Sequence, residues 1–145
     1  MMKTLAEWIK FYNKKVAEPF QRNERFSLYF SPEKGFCEIT ATDKMVLVYQ
    51  CAGDLRFWRH AAEKLAKLLN LRMLGTMVYR HIKPYLRLSG FSIERTEQKP
   101  NEEPRYHCRD LKTGQAGLAT PNGNYCDEDT PVYICTWSLD NEYKI

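Results

Sequence analysis

The sequence has no apolar run near the roughly 18 residues that a membrane-crossing helix requires. Its opening, MMKTLAEWIKFYNKK, is amphipathic and charged throughout, and it lacks the apolar core and small-residue cleavage site of a secretory leader. These absences set the expectation of a cytoplasmic protein with no membrane partner. There is also no C-x-x-C pair. The five cysteines (Cys37, Cys51, Cys108, Cys126 and Cys135) are odd in number, which argues against a disulfide framework or a zinc ribbon. His107-Cys108 with Cys126 and Cys135 matches no ligand spacing, so no metal is expected. No internal repeat, low-complexity tract, helix-turn-helix, zinc finger or RNA-recognition signature occurs. Nucleic-acid binding would therefore rest on charge alone. Residues 1–91 carry 16 Lys and Arg against 8 Asp and Glu, and residues 92–145 carry 6 against 10. That excess is modest, and an ordinary solvated surface explains it as well as an anionic partner does.

What is present suits one folded domain spanning residues 1–145. Apolar residues make up 43% of the chain and aromatics 13%, enough for a core without covalent staples. Leu5, Trp8, Ile9, Tyr12, Val16 and Phe20 recur at helical spacing, and Pro19 is expected to close that helix. Phe26–Phe30 and Phe36–Thr40 read as a hairpin around Ser31-Pro32-Glu33-Lys34-Gly35. Met45–Tyr49 is a continuous apolar run, the pattern of a strand covered on both faces. Trp58, Ala61, Ala62, Leu65, Leu68 and Leu69 line one face of a helix, with Arg59, Glu63, Lys64 and Lys67 opposite. Strands at 71–78 and 91–95 flank a short helix at 80–88 containing Pro84. A strand, a helix and a further strand predict a parallel pair. Beyond the polar loop Gln98–Pro104, strands are expected at 106–111 and 131–139. Thr113–Asp129 reads as a Gly- and Asn-rich connection, and residues 96–145 as a β-rich extension of the same domain.

The stretch VLVYQCAGDLRFW carries the chemistry. A strand runs into Gln50-Cys51-Ala52-Gly53-Asp54 and then into a helix. A helix N-terminus presents unpaired amides and a partial positive charge, and glycine lets the backbone approach a ligand. The turn is suited to phosphate oxygens, though a single glycine in such a turn is common.

With the order of elements, two local patterns resemble the GNAT superfamily of acyl-CoA-dependent N-acyltransferases. Gln50-Cys51-Ala52-Gly53 is similar to its pyrophosphate loop, and Tyr85-Leu86-Arg87-Leu88-Ser89-Gly90-Phe91 to its tyrosine-bearing helix ending in Gly-Phe. The likeness covers residues 26–95, with residues 1–25 supplying the leading helix. Small divergent members of this kind are similar to those carried by bacteria and their phages. The sequence departs from the pattern in four places, one being the polar loop and the long Thr113–Asp129 insertion, which have no simple equivalent in it. Leu55 stands where a second Gly or Ala closes the loop, Tyr85 lies five rather than four residues before Gly90, and Tyr79-Arg80-His81 replaces a helix-initiating asparagine.

The resemblance implies an α/β (α+β) fold: a mixed, largely antiparallel central sheet, a βαβ acyl-CoA-binding core and helices on both faces. It implies acetyl-CoA or another acyl-CoA as co-substrate and an amine acceptor attacking the thioester directly. The backbone of Leu47, Val48 and Tyr49 would pair with the pantetheine arm. Gln50, Cys51, Ala52, Gly53, Asp54 and Leu55 would hold the pyrophosphate, with Arg56 or Arg59 adding charge unless they face solvent. Tyr85 is the candidate acid, or else a half-buried aromatic. Glu38 is the candidate base, or else an outward-facing strand carboxylate. His81 lies near the motif helix, His60 is expected at the surface, and Cys51 has no visible partner base. Tyr125, Tyr133, Trp137 and Tyr143 line an acceptor site or fill the core. Two other classes stand beside the enzyme: an interaction or regulatory module that keeps the fold without chemistry, and a nucleic-acid-binding accessory protein.

Overall fold

The computed structural model describes residues 2–140. Helix α1 (Leu5–Asn13) starts at Thr4, whose hydroxyl accepts from the Glu7 amide while the Glu7 carboxylate accepts from the Thr4 amide. This reciprocal cap satisfies two orphan donors. The helix ends at Asn13, about two turns before the expected Phe20. The Asn13 side chain accepts from the Phe20 amide at 2.7 Å, so the chain folds back. Phe20 then packs edge-on to Tyr12 and Phe36. Its helical spacing is real, but the contact is made by a returning loop.

The eight strands are β1 (Ser27–Ser31), β2 (Gly35–Ala41), β3 (Met45–Gly53), β4 (Met73–Val78), β5 (Ser92–Glu97), β6 (Arg105–Arg109), β7 (Ala116–Tyr125) and β8 (Pro131–Ser138). They form one sheet in the order β1-β2-β3-β4-β8-β7-β6-β5. Among the described residues only β3 and β4 pair in parallel, across helix α2 (Leu55–Leu68), as a strand-helix-strand unit requires. The fold is thus α+β with a mixed, mostly antiparallel sheet. No helix among the described residues is long and apolar enough to cross a membrane.

Both faces of the sheet are covered where the motifs lie, because alternate residues of a strand point to opposite sides. Phe36 and Ala52 meet Trp8 and Tyr12 of α1 on one side. Cys37, Ile39, Val46 and Val48 meet Trp58, Ala62 and Ala66 of α2 on the other, joined there by Ile82 and Leu86 of α3 (Ile82–Leu88). That larger core continues through Tyr106, Cys108, Ala119, Tyr133, Cys135 and Trp137. Tyr133 and Trp137 are therefore core residues, Tyr125 is exposed, and Tyr143 lies outside the described residues.

Two expectations are corrected. Thr113–Asp129 is no mere connection, since β7 occupies ten of its residues. Its inner half is buried, and Gly117 lies under the Cys108 thiol and the Phe91 ring, where a side chain would crowd both. Helix α2 is also rotated relative to the apolar stripe. Arg59 and Glu63 are inside with Leu55, Trp58, Ala62 and Ala66, while Leu68 is exposed. Arg59, 4% exposed, donates to Glu63 at 3.0 Å, the Ser89 carbonyl at 2.9 Å and Gln115 at 2.6 Å, and it pairs with Asp110 at 2.8 Å. Its guanidinium also lies over the Phe91 ring. Trp137 donates its indole N–H to Glu63, which His60 contacts from outside. A buried charge persists only when paired and hydrogen-bonded in this way. The network ties α2 to the end of α3 and to the β6–β7 turn.

Candidate functional site

The parallel pair β3–β4 holds for four residue pairs, from Met45–Met73 to Val48–Thr76. Beyond them β4 stays with β8 as far as Val78, while β3 stays with β2 as far as Gly53. The sheet therefore parts after Val48 and Thr76. A bulge accompanies the parting: Cys37 and Ile39, two steps apart on β2, face Cys51 and Val48, three steps apart on β3. An extra residue of this kind bends its strand and sharpens the local twist.

The parting leaves main-chain donors without a strand to meet. A β-carbon on Gly35 would run into the Ala52 carbonyl oxygen, so that carbonyl points toward β2. The peptide is planar and trans, which turns the Gly53 N–H the opposite way, into the gap. The same alternation aims the Cys51 N–H there too. The Asp54 amide, by contrast, is used up on the Lys34 carbonyl at 2.9 Å. At the start of α2 the Asp54 carboxylate caps the Phe57 amide at 3.0 Å and meets Lys34 Nζ at 3.4 Å.

Two adjoining chambers lie at the gap. The inner one, of ≈240 Å³, lies between α1 and the start of α2 and includes Gly53, Leu55 and Leu88. The outer one, of ≈70 Å³, includes Glu18, Tyr49, Thr76, Tyr79 and Tyr85. Tyr12, Cys51 and Arg80 line both, so the chambers adjoin at these three residues. Tyr12 is 7% exposed and its ring is held against Phe20 and Phe36, yet its hydroxyl bonds to no described residue. Burial pushes that phenol well above its ordinary range, Tyr49, Cys51 and Glu38 add to the rise, and Arg80 opposes it. Arg80 and Glu18 make no ion pair with a described residue.

Tyr85 reaches the outer chamber from the α2 side of the sheet. Burial raises its phenol strongly, the Cys135, Cys51 and Cys37 thiols reinforce this, and the Ser89 hydroxyl works against it. Leu47 and Val48 lie where β3 is still paired on both edges, and Tyr49 stacks on Phe26 at 5.3 Å. Cys51 is half-buried on the cleft wall, Ala52 packs under α1, and Leu55 is buried beside the inner chamber. Arg56 sits against Gly90 and lies 3.7 Å from Asp110. His81 caps α3 without a side-chain hydrogen bond to the helix.

Glu38 is fully buried rather than outward-facing. It accepts from Arg22 at 2.6 Å, the Asn23 amide at 2.8 Å and Gln50 at 2.7 Å. Gln50 also exchanges hydrogen bonds with the Gln21 backbone in both directions. Both side chains are thereby committed to fastening the 14–26 segment over the sheet. Arg59 belongs to the interior network and is not available to a phosphate. Among the described residues no group of three or more His, Cys, Asp or Glu is placed to hold a metal ion.

Tyr12, Arg80 and Glu18 are the cleft residues that sequence reasoning missed. Tyr12 was hidden in an apolar helical stripe; Arg80 stood in plain view where the superfamily's pattern has an asparagine. No family model matches the chain, and neither the curated proteins nor the solved structures give a match.

Proposed function

We propose that the protein transfers an acyl group from an acyl-CoA thioester, acetyl-CoA being the simplest, to an amine. The observation carrying this reading is the parting of the parallel pair β3–β4 beyond Val48 and Thr76 into a cleft beside a helix N-terminus. Ligands of open α/β sheets gather at the carboxyl ends of parallel strands. The pantetheine arm would replace the missing strand partner at the Cys51 and Gly53 amides, as an added extended segment does at a sheet edge. Lys15 and Arg80 supply positive charge at the inner chamber, and Leu55 and Leu88 supply apolar wall. The amine would enter from the outer chamber, where the Glu18 carboxylate favours a cation. Tyr85, which lines the outer chamber and stays protonated at neutral pH, would give its proton to the departing sulfur.

Asp54 favours a second reading. Its carboxylate occupies the cap of α2, where a pyrophosphate oxygen would otherwise be welcomed. A protein that keeps the fold and cleft but serves as a binding or regulatory module would show the same geometry.

Thermal unfolding with acetyl-CoA or CoA near a millimolar tests the reading. Both should raise the melting temperature, and Leu88→Glu, an exposed substitution at the cleft rim, should remove the rise. No shift with either ligand sinks the enzyme reading. A shift with no turnover over a broad amine panel selects the module.

A further inference from the structure

We propose that the Tyr12 hydroxyl, with the Arg80 guanidinium beside it, donates hydrogen bonds to the thioester carbonyl oxygen, an inference that rests on the acyltransferase reading. This places the oxyanion site on α1 and the β4–α3 turn, away from the motif helix. The Tyr12 ring is buried, yet its hydroxyl bonds to no described residue and is not sealed off: it opens to the cleft that the residue lines. The ring cannot swing away to find a partner, because Phe20 and Phe36 hold it at centroid distances of 6.1 and 5.5 Å. Tyr12 thus offers a fixed donor where the chamber suited to the nucleotide-linked arm adjoins the one suited to the amine. The thioester must sit where those chambers meet. Arg80 lines both chambers too, and its charge favours the Tyr12 phenolate. Oxyanion stabilisation requires donors in place before the substrate arrives, and these two line one cleft.

In the step, the neutral amine's lone pair bonds to the thioester carbon and the carbonyl π pair moves to oxygen. Tyr12 and Arg80 hold that oxyanion without giving up a proton. The pair then returns to carbon, the C–S bond breaks, and its electrons leave on sulfur. The nitrogen's extra proton passes to water, with Glu18 as the nearer carboxylate, and the CoA thiolate is protonated. The products are an amide and CoA thiol.

The test is calorimetric binding of acetyl-CoA and of CoA to the wild type, Tyr12→Phe and Arg80→Met. Phe keeps the ring packing, and Arg80 is only partly buried, so both variants are built to fold; melting temperatures check this. Tyr12→Phe should weaken acetyl-CoA by about five-fold, the worth of one hydrogen bond, and leave CoA within about two-fold. Arg80→Met should likewise weaken acetyl-CoA more than CoA. Equal losses for both ligands, or an unchanged ratio in both variants, overturn the assignment while leaving the acyltransferase reading intact. If the wild type binds neither ligand, the reading falls and the assignment with it.

Discussion

Gly35 and Gly53 face each other across β2 and β3, and neither position has room for a β-carbon. Both have left-handed backbone, with φ of +101° and +98°; a β-carbon on Gly35 would overlap the Ala52 carbonyl oxygen, and one on Gly53 the Lys34 carbonyl oxygen. Strain and overlap add, so Gly35→Ala or Gly53→Ala should each cost about 2–4 kcal/mol in urea unfolding. A loss below about 0.5 kcal/mol, the range of ordinary surface changes, would mean the strands do not meet in this way. A substitution at Gly53 consequently reports on folding before it reports on any ligand.

Arg59 compensates two buried carboxylates at once, Glu63 and Asp110. Arg59→Met should destabilise by about 3–5 kcal/mol, since the carboxylates remain buried without their cation. Arg59→Lys should recover little of that. An ammonium cannot reproduce the planar fork that meets Glu63, Gln115 and the Ser89 carbonyl together. Stability of the lysine variant close to wild type would refute the network's role.

Asp110 sets a pH dependence. Burial pushes its carboxyl upward, but the amides of Lys112 and Thr113 and the Arg59 guanidinium outweigh it, and the net shift is below the ordinary 3.8. A carboxylate whose folded pKa is depressed adds stability that is complete above its unfolded pKa and fades as pH falls through the folded one. The stability gap between wild type and Asp110→Asn should stay level above the aspartate range and shrink below 3.8. Urea midpoints measured between neutral pH and pH 2 would show it; a gap that widens in acid would contradict it.

Thiol labelling separates the cleft from the rest of the surface. Cys51 and Cys126 are partly exposed, whereas Cys37, Cys108 and Cys135 are buried, and burial drives the Cys108 thiol up to about 12. A maleimide should therefore label Cys51 and Cys126 of the native protein. Acetyl-CoA should slow Cys51 and leave Cys126 unchanged, as read by peptide mass spectrometry. Equal protection of both, or of neither, would place the ligand elsewhere.

Periodicity made the strand-glycine-helix-strand unit legible, because a doubly covered strand and a long amphipathic helix leave strong local signals. It failed where tertiary contacts override local pattern. The rotation of α2 was hidden because Ala62 and Ala66 let the helix sit close to the sheet, while Arg59 and Glu63 find partners from α3 and the β6–β7 turn. Strand β7 was hidden because Gly117 and Pro121 break the alternation that marks a strand, and its outer end leaves the register with β8 after Pro121. Glu38 was legible as a carboxylate near the cleft, but Arg22 and Gln50, which occupy it, come from separate segments.

The eighth strand in chain order lies between β4 and β7. During synthesis the two halves of the sheet therefore emerge with open backbone edges and no partner for either until Ser138 has left the ribosome. The nascent chain must hold β4 and β7 apart from each other and from neighbouring polypeptides for that interval. Slow translation across residues 126–138 would lengthen its exposure to aggregation, and chaperone capture should be greatest there.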